Sequence, residues 1–333
     1  MLNDGTRSGE DREKLCMMPP RRSGAAQRAP MHKTTGRWRY GLALTLVTVF
    51  MWGTLPIPMK MLFEVLDPFT LTWMRCLTAA VLVGVWLAWR GKLPALHRLS
   101  RRNLGLLAIA ILGLAANYIL YALGLIRITP DASQVLIQLA PMFLLLGGLF
   151  VFDEHYGAVQ WLGFAILLAG LGLFFHSRLD RVFAPGPYGV GVALVVLAGV
   201  VWACYALAQK ELLKALPSPA IMWCIYVSAL IIFLPAIHPW SLLRLDGTQV
   251  LLLAYASINT LIAYGCFAEA LDHWEASRVS AVLAITPLLT IFFVWLLARI
   301  VPGALPPEPL DLLSVVGACV VVVGSGMSAL SRR

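Results

Sequence analysis

The sequence predicts an all-α polytopic membrane bundle of ten transmembrane helices arranged as two inverted five-helix repeats. Three observations carry this: too few charges for a water-facing surface, ten apolar stretches of spanning length, and a residue pattern that recurs about 150 positions later. Of the 333 residues, 59% are hydrophobic and 13% charged, with a mean hydropathy of +0.79. A soluble domain carries about 25% charged residues, and single cores stop growing near this length. The apolar excess cannot be hidden inside, so lipid must cover the outside.

From Tyr40 onward, apolar stretches long enough to cross the hydrocarbon core follow one another. The expected spans are 40–61, 69–89, 104–124, 132–152, 158–176, 188–209, 219–237, 249–271, 278–299 and 311–330. Spans 4 and 5 are separated only by Asp153, Glu154, His155 and Tyr156, which suits a tight hairpin. Residues 1–36 are polar and basic and read as a disordered cytoplasmic tail. They lack the apolar region of a signal peptide, and Met31 is a second candidate start. The two repeats then occupy 37–180 and 181–333.

The net charge of +9 does not point to nucleic acid, because the basic residues flank apolar runs. Arg90, Lys92, Arg98, Arg101 and Arg102 fill one short loop, as cytoplasmic loops do. With the N-terminus inside, and leaving out the first thirty residues and Arg75, the cytoplasmic segments hold about 13 Lys and Arg against about 6 outside. Arg178 and Arg181 argue mildly the other way. The expectation is a plasma (inner) membrane protein with both termini cytoplasmic. Five of the six cysteines lie within apolar runs, and no zinc or redox spacing is present.

The repeat is read residue by residue. Trp52, Lys60 and Trp73 match Trp202, Lys210 and Trp223 at an offset of 150. Tyr118 and Pro141 match Tyr264 and Pro287 at 146, and Gly163 and Gly170 match Gly317 and Gly324 at 154. Five spans per half is an odd number, so the second half enters the membrane upside down. Two such halves can exchange conformations at similar energy, which is how inverted-repeat carriers alternate their openings.

Several stretches resemble the EamA-like family of the drug/metabolite transporter superfamily. In the first half these are M-W-G-T-L-P-I-P-M-K (51–60), D-P-F-T-L-T-W-M-R (67–75), A-P-M-F (140–143) and F-D-E with Q-W-L-G (152–163). In the second they are T-L-I-A-Y-G (260–265), E-A-S-R-V-S-A-V-L-A-I-T-P (275–287) and V-G-A-C-V-V-V-V-G (316–324). The resemblance covers about residues 40–330. It implies a central cavity between the halves and transport by alternating access, often export. The sequence departs from the family after span 9, where Arg299-Ile300 stands opposite the Glu154 of the first half.

Ionisable groups inside a bilayer are costly, so each is a functional candidate. Arg75, two turns into span 2, either binds an anionic solute group or is structural, bonded to carbonyls or to Glu64 and Asp67. Glu269, near the cytoplasmic end of span 8, either carries a coupling proton or sits hydrated at the mouth beside His273. Uncharged polar residues share helical faces: Asn117 with Tyr121, Gln134 with Gln138, Trp202 with Tyr205 and Gln209, and Tyr255 with Asn259, with Tyr264 further along. Together with Trp52 they make an aromatic, hydrogen-bonding wall, although each could equally serve as interhelical glue. Pro141 and Pro287 are hinge candidates. The four repeat-related glycines are expected to permit close packing. Lys60 and Lys210 are read as snorkelling.

No nucleotide-binding, hydrolase or metal motif is visible, so neither cofactor nor metal is implied. The reading is a secondary transporter, an exporter of small organic metabolites or amphipathic compounds, driven by protons, exchange or the solute gradient. The partners are a small organic solute and the lipid bilayer, with no nucleic acid and room for a homodimer. A membrane-embedded enzyme on lipid-linked substrates and a non-transporting scaffold are the competing classes.

Overall fold

The computed structural model describes residues 37–152, 157–274, 276–305 and 310–330. The tail of residues 1–36 and the hairpin expected at 153–156 lie outside them. Hydrocarbon offers no hydrogen bonds, so each apolar segment satisfies its backbone internally as helix. Among the described residues there is no strand, and ten helices are long and apolar enough to cross a membrane.

Seven spans are unbroken: Pro68–Trp89 (span 2), Arg101–Arg127 (span 3), Ala158–Phe175 (span 5), Pro187–Leu212 (span 6), Ser218–Phe233 (span 7), Gly247–His273 (span 8) and Leu312–Leu330 (span 10). Their starts are set by side chains that accept the orphan amides of a first turn. Asp67 takes Phe69 N–H and Thr70 N–H at 2.9 and 3.0 Å, Ser100 takes Asn103 N–H at 3.2 Å, and Asp246 forms a reciprocal box with Gln249. Proline enters the first turn of spans 2, 6 and 7, where its missing N–H costs nothing.

Three spans are discontinuous. Span 1 is Trp38–Thr54 followed by Pro56–Leu62, span 4 is Pro130–Leu136 followed by Leu139–Phe152, and span 9 is Ala276–Leu283 followed by Thr286–Ile300. Each break precedes a proline, which cannot donate to the carbonyl four residues back. Pro287 thereby frees the Leu283 carbonyl, and the Thr286 hydroxyl donates to it at 2.5 Å. Pro141 likewise leaves Ile137 O to a shorter bond from Ala140 N–H at 2.9 Å.

The halves pack as an inverted repeat requires. Span 5 lies along its own mate, span 10, and span 2 along span 7, while span 3 pairs with span 6 as span 1 does with span 8. Single bonds obey the same rule. Trp73 Nε1–H donates to Leu230 O at 3.0 Å, and its mate Trp223 donates to Ala80 O at 3.1 Å, the position that corresponds to Leu230. Gly163 faces Gly324 and Gly170 faces Gly317, so the two contacts are images of each other. A Cβ at Gly170 would come within 2.9 Å of Gly317 O, and one at Gly163 within 2.8 Å of Gly324 O. Spans 5 and 10 therefore touch backbone to backbone. Large apolar side chains such as Val85, Leu112, Ile231 and Leu251 are left exposed on the outside, where lipid would meet them.

That contact gives a matched test. Gly170→Ala drives a methyl into span 10 and should destabilise by about 1–3 kcal/mol, whereas Gly172 faces open space. The melting temperature in detergent should drop for Gly170→Ala and hold or rise slightly for Gly172→Ala. Equal effects would show that spans 5 and 10 are not held at backbone distance.

Candidate functional site

A cavity of about 550 Å³ lies between the halves, lined from both of them. At one end it reaches Met59, Arg75 and Tyr121; at the other it reaches Lys210, Ser280 and Ser328, close to the ends of spans 6, 9 and 10. Lys210, Pro141 and Ser280 are exposed, so the mouth lies on the face that carries both ends of the bundle. The opposite end is shut by Met59, Leu62, Leu66, Leu71 and Leu125, all essentially inaccessible.

The break in span 1 shapes the wall. Pro56 leaves Trp52 O without a helical donor, and Gln134 Nε2 from span 4 supplies one at 2.5 Å. Asn259 Nδ2 donates to Met51 O at 2.7 Å, and Thr290 Oγ1 to Gly53 O at 2.6 Å. Three consecutive carbonyls are thus tied to spans 4, 8 and 9. The indole of Trp52 then stands edge-on to Tyr264 with centroids 5.5 Å apart, and Phe267 is at the same distance.

The breaks of spans 4 and 9 meet across the pseudo-axis. Gln138 Nε2 reaches Ala284 O at 3.5 Å, its own repeat-related position, while its Oε1 accepts from Ser325 Oγ at 3.1 Å. Asn117 Nδ2 donates to Ala198 O at 2.9 Å, and the Tyr121 and Ser133 hydroxyls are 3.0 Å apart.

Of the residues proposed from sequence, Trp52, Asn117, Tyr121, Gln134, Gln138, Trp202, Tyr264, Arg75 and Pro141 line the cavity. Tyr205, Asn259 and Pro287 do not. Tyr205 is buried between spans 6 and 7 with its hydroxyl on Met222 Sδ at 3.4 Å, and Asn259 is held on the span 1 backbone. Pro287 is buried one residue from the lining Thr286. Glu269 is off the wall, half exposed, with His273 Nε2 at 3.1 Å. Sequence reading missed Gln160, Ser325, Ser328 and Thr286 as wall residues; isolated polar residues in otherwise apolar spans 5, 9 and 10 were the available signal.

Arg75 is 6% exposed, and the surface it does show belongs to the cavity. Nε donates to Thr260 Oγ1 at 3.0 Å, Nη1 points at Met59 Sδ at 3.3 Å, and the guanidinium lies 5.8 Å from the Tyr118 ring centroid. It is bonded to neither Glu64 nor Asp67. Asp67 instead caps span 2, and His238 Nδ1 lies 3.3 Å from it. Lys60 does not reach for water either: its ammonium donates to Leu125, Ile126 and Ile128 carbonyls at 2.8, 2.7 and 2.9 Å, closing the C-terminus of span 3.

Residues 39–176 and 189–330 each match the EamA-like transporter family. The chain belongs to that family. An Escherichia coli K12 protein named uncharacterized inner membrane transporter YhbE is 39% identical over 88% of this chain and 92% of its own. An uncharacterized transporter of Haemophilus influenzae is 34% identical over 88% and 95%. A Salmonella typhimurium protein named as a probable amino-acid metabolite efflux pump is 25% identical over 87% and 95%. A crystal structure 20% identical in sequence shares the fold, with a TM-score of 0.60 over 88% of this chain and 98% of that one. Family and relatives are transporters, not enzymes, and this EamA-like chain is a multi-pass membrane protein.

At the closed end, two carboxylates bridge the repeats: Asp67 lies against His238, and Asp311 against His176 Nε2 at 3.0 Å. Burial raises the Asp67 pKa, but bonds from the Thr70 hydroxyl and amide and from His238 outweigh it and leave the value lowered. Asp311 is lowered chiefly by the Ser314 amide and hydroxyl, with a smaller part from His176. Because both folded values lie below the unfolded one, their contribution is complete above about pH 4 and is lost as pH falls through the folded values. The melting temperature in detergent should therefore fall on acidification below about pH 4. Asp67→Asn with Asp311→Asn should lower it at pH 7 and flatten the acid limb. An acid limb identical to the parent's would remove these two groups from the account.

Proposed function

We propose that this transporter is a secondary exporter of small organic metabolites or amphipathic compounds across the inner membrane, working by alternating access. The carrying observation is a cavity at the interface of two inverted halves, lined by both and open to one face only. The helix breaks in spans 1, 4 and 9 fall beside that cavity, and discontinuous helices at the midplane are where inverted-repeat carriers bind their solutes. The efflux name of one relative agrees with export.

The charge pattern of the loops supports both termini being cytoplasmic, so the cavity as described faces inward. On this topology Asp180, exposed in the loop between spans 5 and 6, is extracytoplasmic. A cysteine at Asp180 should react with an impermeant maleimide in intact spheroplasts. Reaction only after lysis inverts the topology. Export itself is tested by loading proteoliposomes of the purified full chain with a cell metabolite extract and following which compounds leave; no protein-dependent loss overturns the carrier reading.

Glu269 fits the mouth reading better than the coupling one, being half exposed and beside His273 rather than on the wall. Glu269→Gln should accordingly export at close to the parent rate with and without a proton gradient. Selective loss of gradient-driven export would make Glu269 the coupling group after all.

A further inference from the structure

We propose that the cavity selects organic anions: solutes with one carboxylate or comparable oxyanion on an aromatic or branched apolar body, the charged head docking on Arg75. The inference rests on the carrier reading above and narrows its substrate class.

The first ground is the state of Arg75 itself. A guanidinium has five donors and no acceptor, and within the bilayer its charge is expensive unless paired or hydrated. Among the described residues its hydrogen-bond partners are one hydroxyl, Thr260 Oγ1, and one weak thioether acceptor, Met59 Sδ. No carboxylate of the described residues forms an ion pair with it. The charge is fixed in place by neutral neighbours and faces the cavity, so its counter-charge has to arrive from there.

The second ground is the remainder of the wall. No Asp or Glu lines the cavity among the described residues, so Arg75 sets the sign of the field at its closed end. A cation at the end of a low-dielectric cavity concentrates anions and repels cations. Carboxylate against guanidinium is the geometry that makes two parallel charge-assisted bonds.

The third ground is what lies beside the charge. Tyr118 carries the guanidinium on its face, and Tyr264, Trp52 and Phe267 continue an aromatic side toward the mouth. Asn117, Gln134 and Gln138 spend amide hydrogens on backbone carbonyls, which leaves the aromatic side to hold the solute body. About 550 Å³ is within the usual range for a drug-sized ligand.

Three probes of one shape and different charge test this: N-acetylphenylalanine (anion), N-acetylphenylalanine amide (neutral) and phenylalanine amide (cation). Binding to the purified full chain is read by thermal shift and by isothermal titration, and transport by counterflow in proteoliposomes. The anion should bind at least roughly tenfold more tightly than the neutral probe, the effect of one charge-assisted hydrogen bond, and the cation should not bind. Arg75→Gln should abolish the preference for the anion over the neutral probe, and Arg75→Lys should restore part of it. If Arg75→Gln does not fold, the ranking of the three probes on the parent protein still decides. Cation binding equal to the anion's, a preference that survives in folded Arg75→Gln, or binding of none of the three overturns the proposal. Counterflow of the neutral or cationic probe alone would overturn it while leaving the carrier intact.

Discussion

A backbone carbonyl freed inside a bilayer has to find its donor in the protein, because hydrocarbon provides none. This constraint organises the centre of the molecule. Prolines at 56, 141 and 287 open the helical ladders of spans 1, 4 and 9, and the freed carbonyls fall near the midplane. Gln134 answers Trp52, Thr286 answers Leu283, and Asn259 and Thr290 secure the carbonyls on either side of Trp52. Each answer comes from a polar side chain that an apolar span otherwise has no reason to keep. Breaking the helices makes room for a cavity, and satisfying the breaks furnishes its wall.

The same residues bind the halves together. Gln134 and Gln138 belong to the first repeat; Asn259, Thr290 and Ser325 belong to the second. Gln134 ties spans within the first half, but Asn259 and Thr290 cross to span 1, and Gln138 reaches both Ala284 and Ser325. Spans 5 and 10 provide the contrasting contact. There glycine faces glycine with no side chain between, a close packing that depends on shape alone. The interface therefore has a directional hydrogen-bonded part around the cavity and a smooth packed part beside it.

Much of this was legible in the sequence, for physical reasons. Span length follows from bilayer thickness, and every expected span is a helix within a few residues of the stated bounds. The offsets of 146, 150 and 154 picked out Trp73 with Trp223 and Gly170 with Gly324 as mates, and the reciprocal bonds and paired contacts are their consequence. The faces were harder. Asn117 with Tyr121 and Gln134 with Gln138 do reach the cavity, yet Tyr205 shares a face with the wall residue Trp202 and points into a helix contact, and Asn259 turns to the span 1 backbone. In a soluble helix the polar side marks the outside, but here lipid and protein neighbours are both apolar, and periodicity cannot say which helix a polar face meets. Lys60 was misread for a related reason: its donors are satisfied by three carbonyls brought from span 3, a partner that local sequence does not reveal.

Lys60 also shows what the inverted repeat demands of a carrier. Its mate is Lys210, and in this structure the two stand at opposite ends of the bundle: Lys60 on the end of span 3 at the closed side, Lys210 at the mouth. Two-fold exchange of the halves would make them trade places, because the position that corresponds to span 3 in the second half is span 8. Lys60 would then stand at the opening of the face it now closes, and Lys210 would close the face where the mouth now lies. On the proposed cycle the same chemistry, an ammonium against the carbonyls that a helix end leaves free, serves as latch on alternate sides. Arg75 stands apart from this exchange. Its offset mate is Ile225, which is buried and apolar, so the halves share a scaffold and a latch but not the charge. A solute held at Arg75 would meet the same guanidinium whichever way the cavity faces, which is what a single binding site between two gates requires.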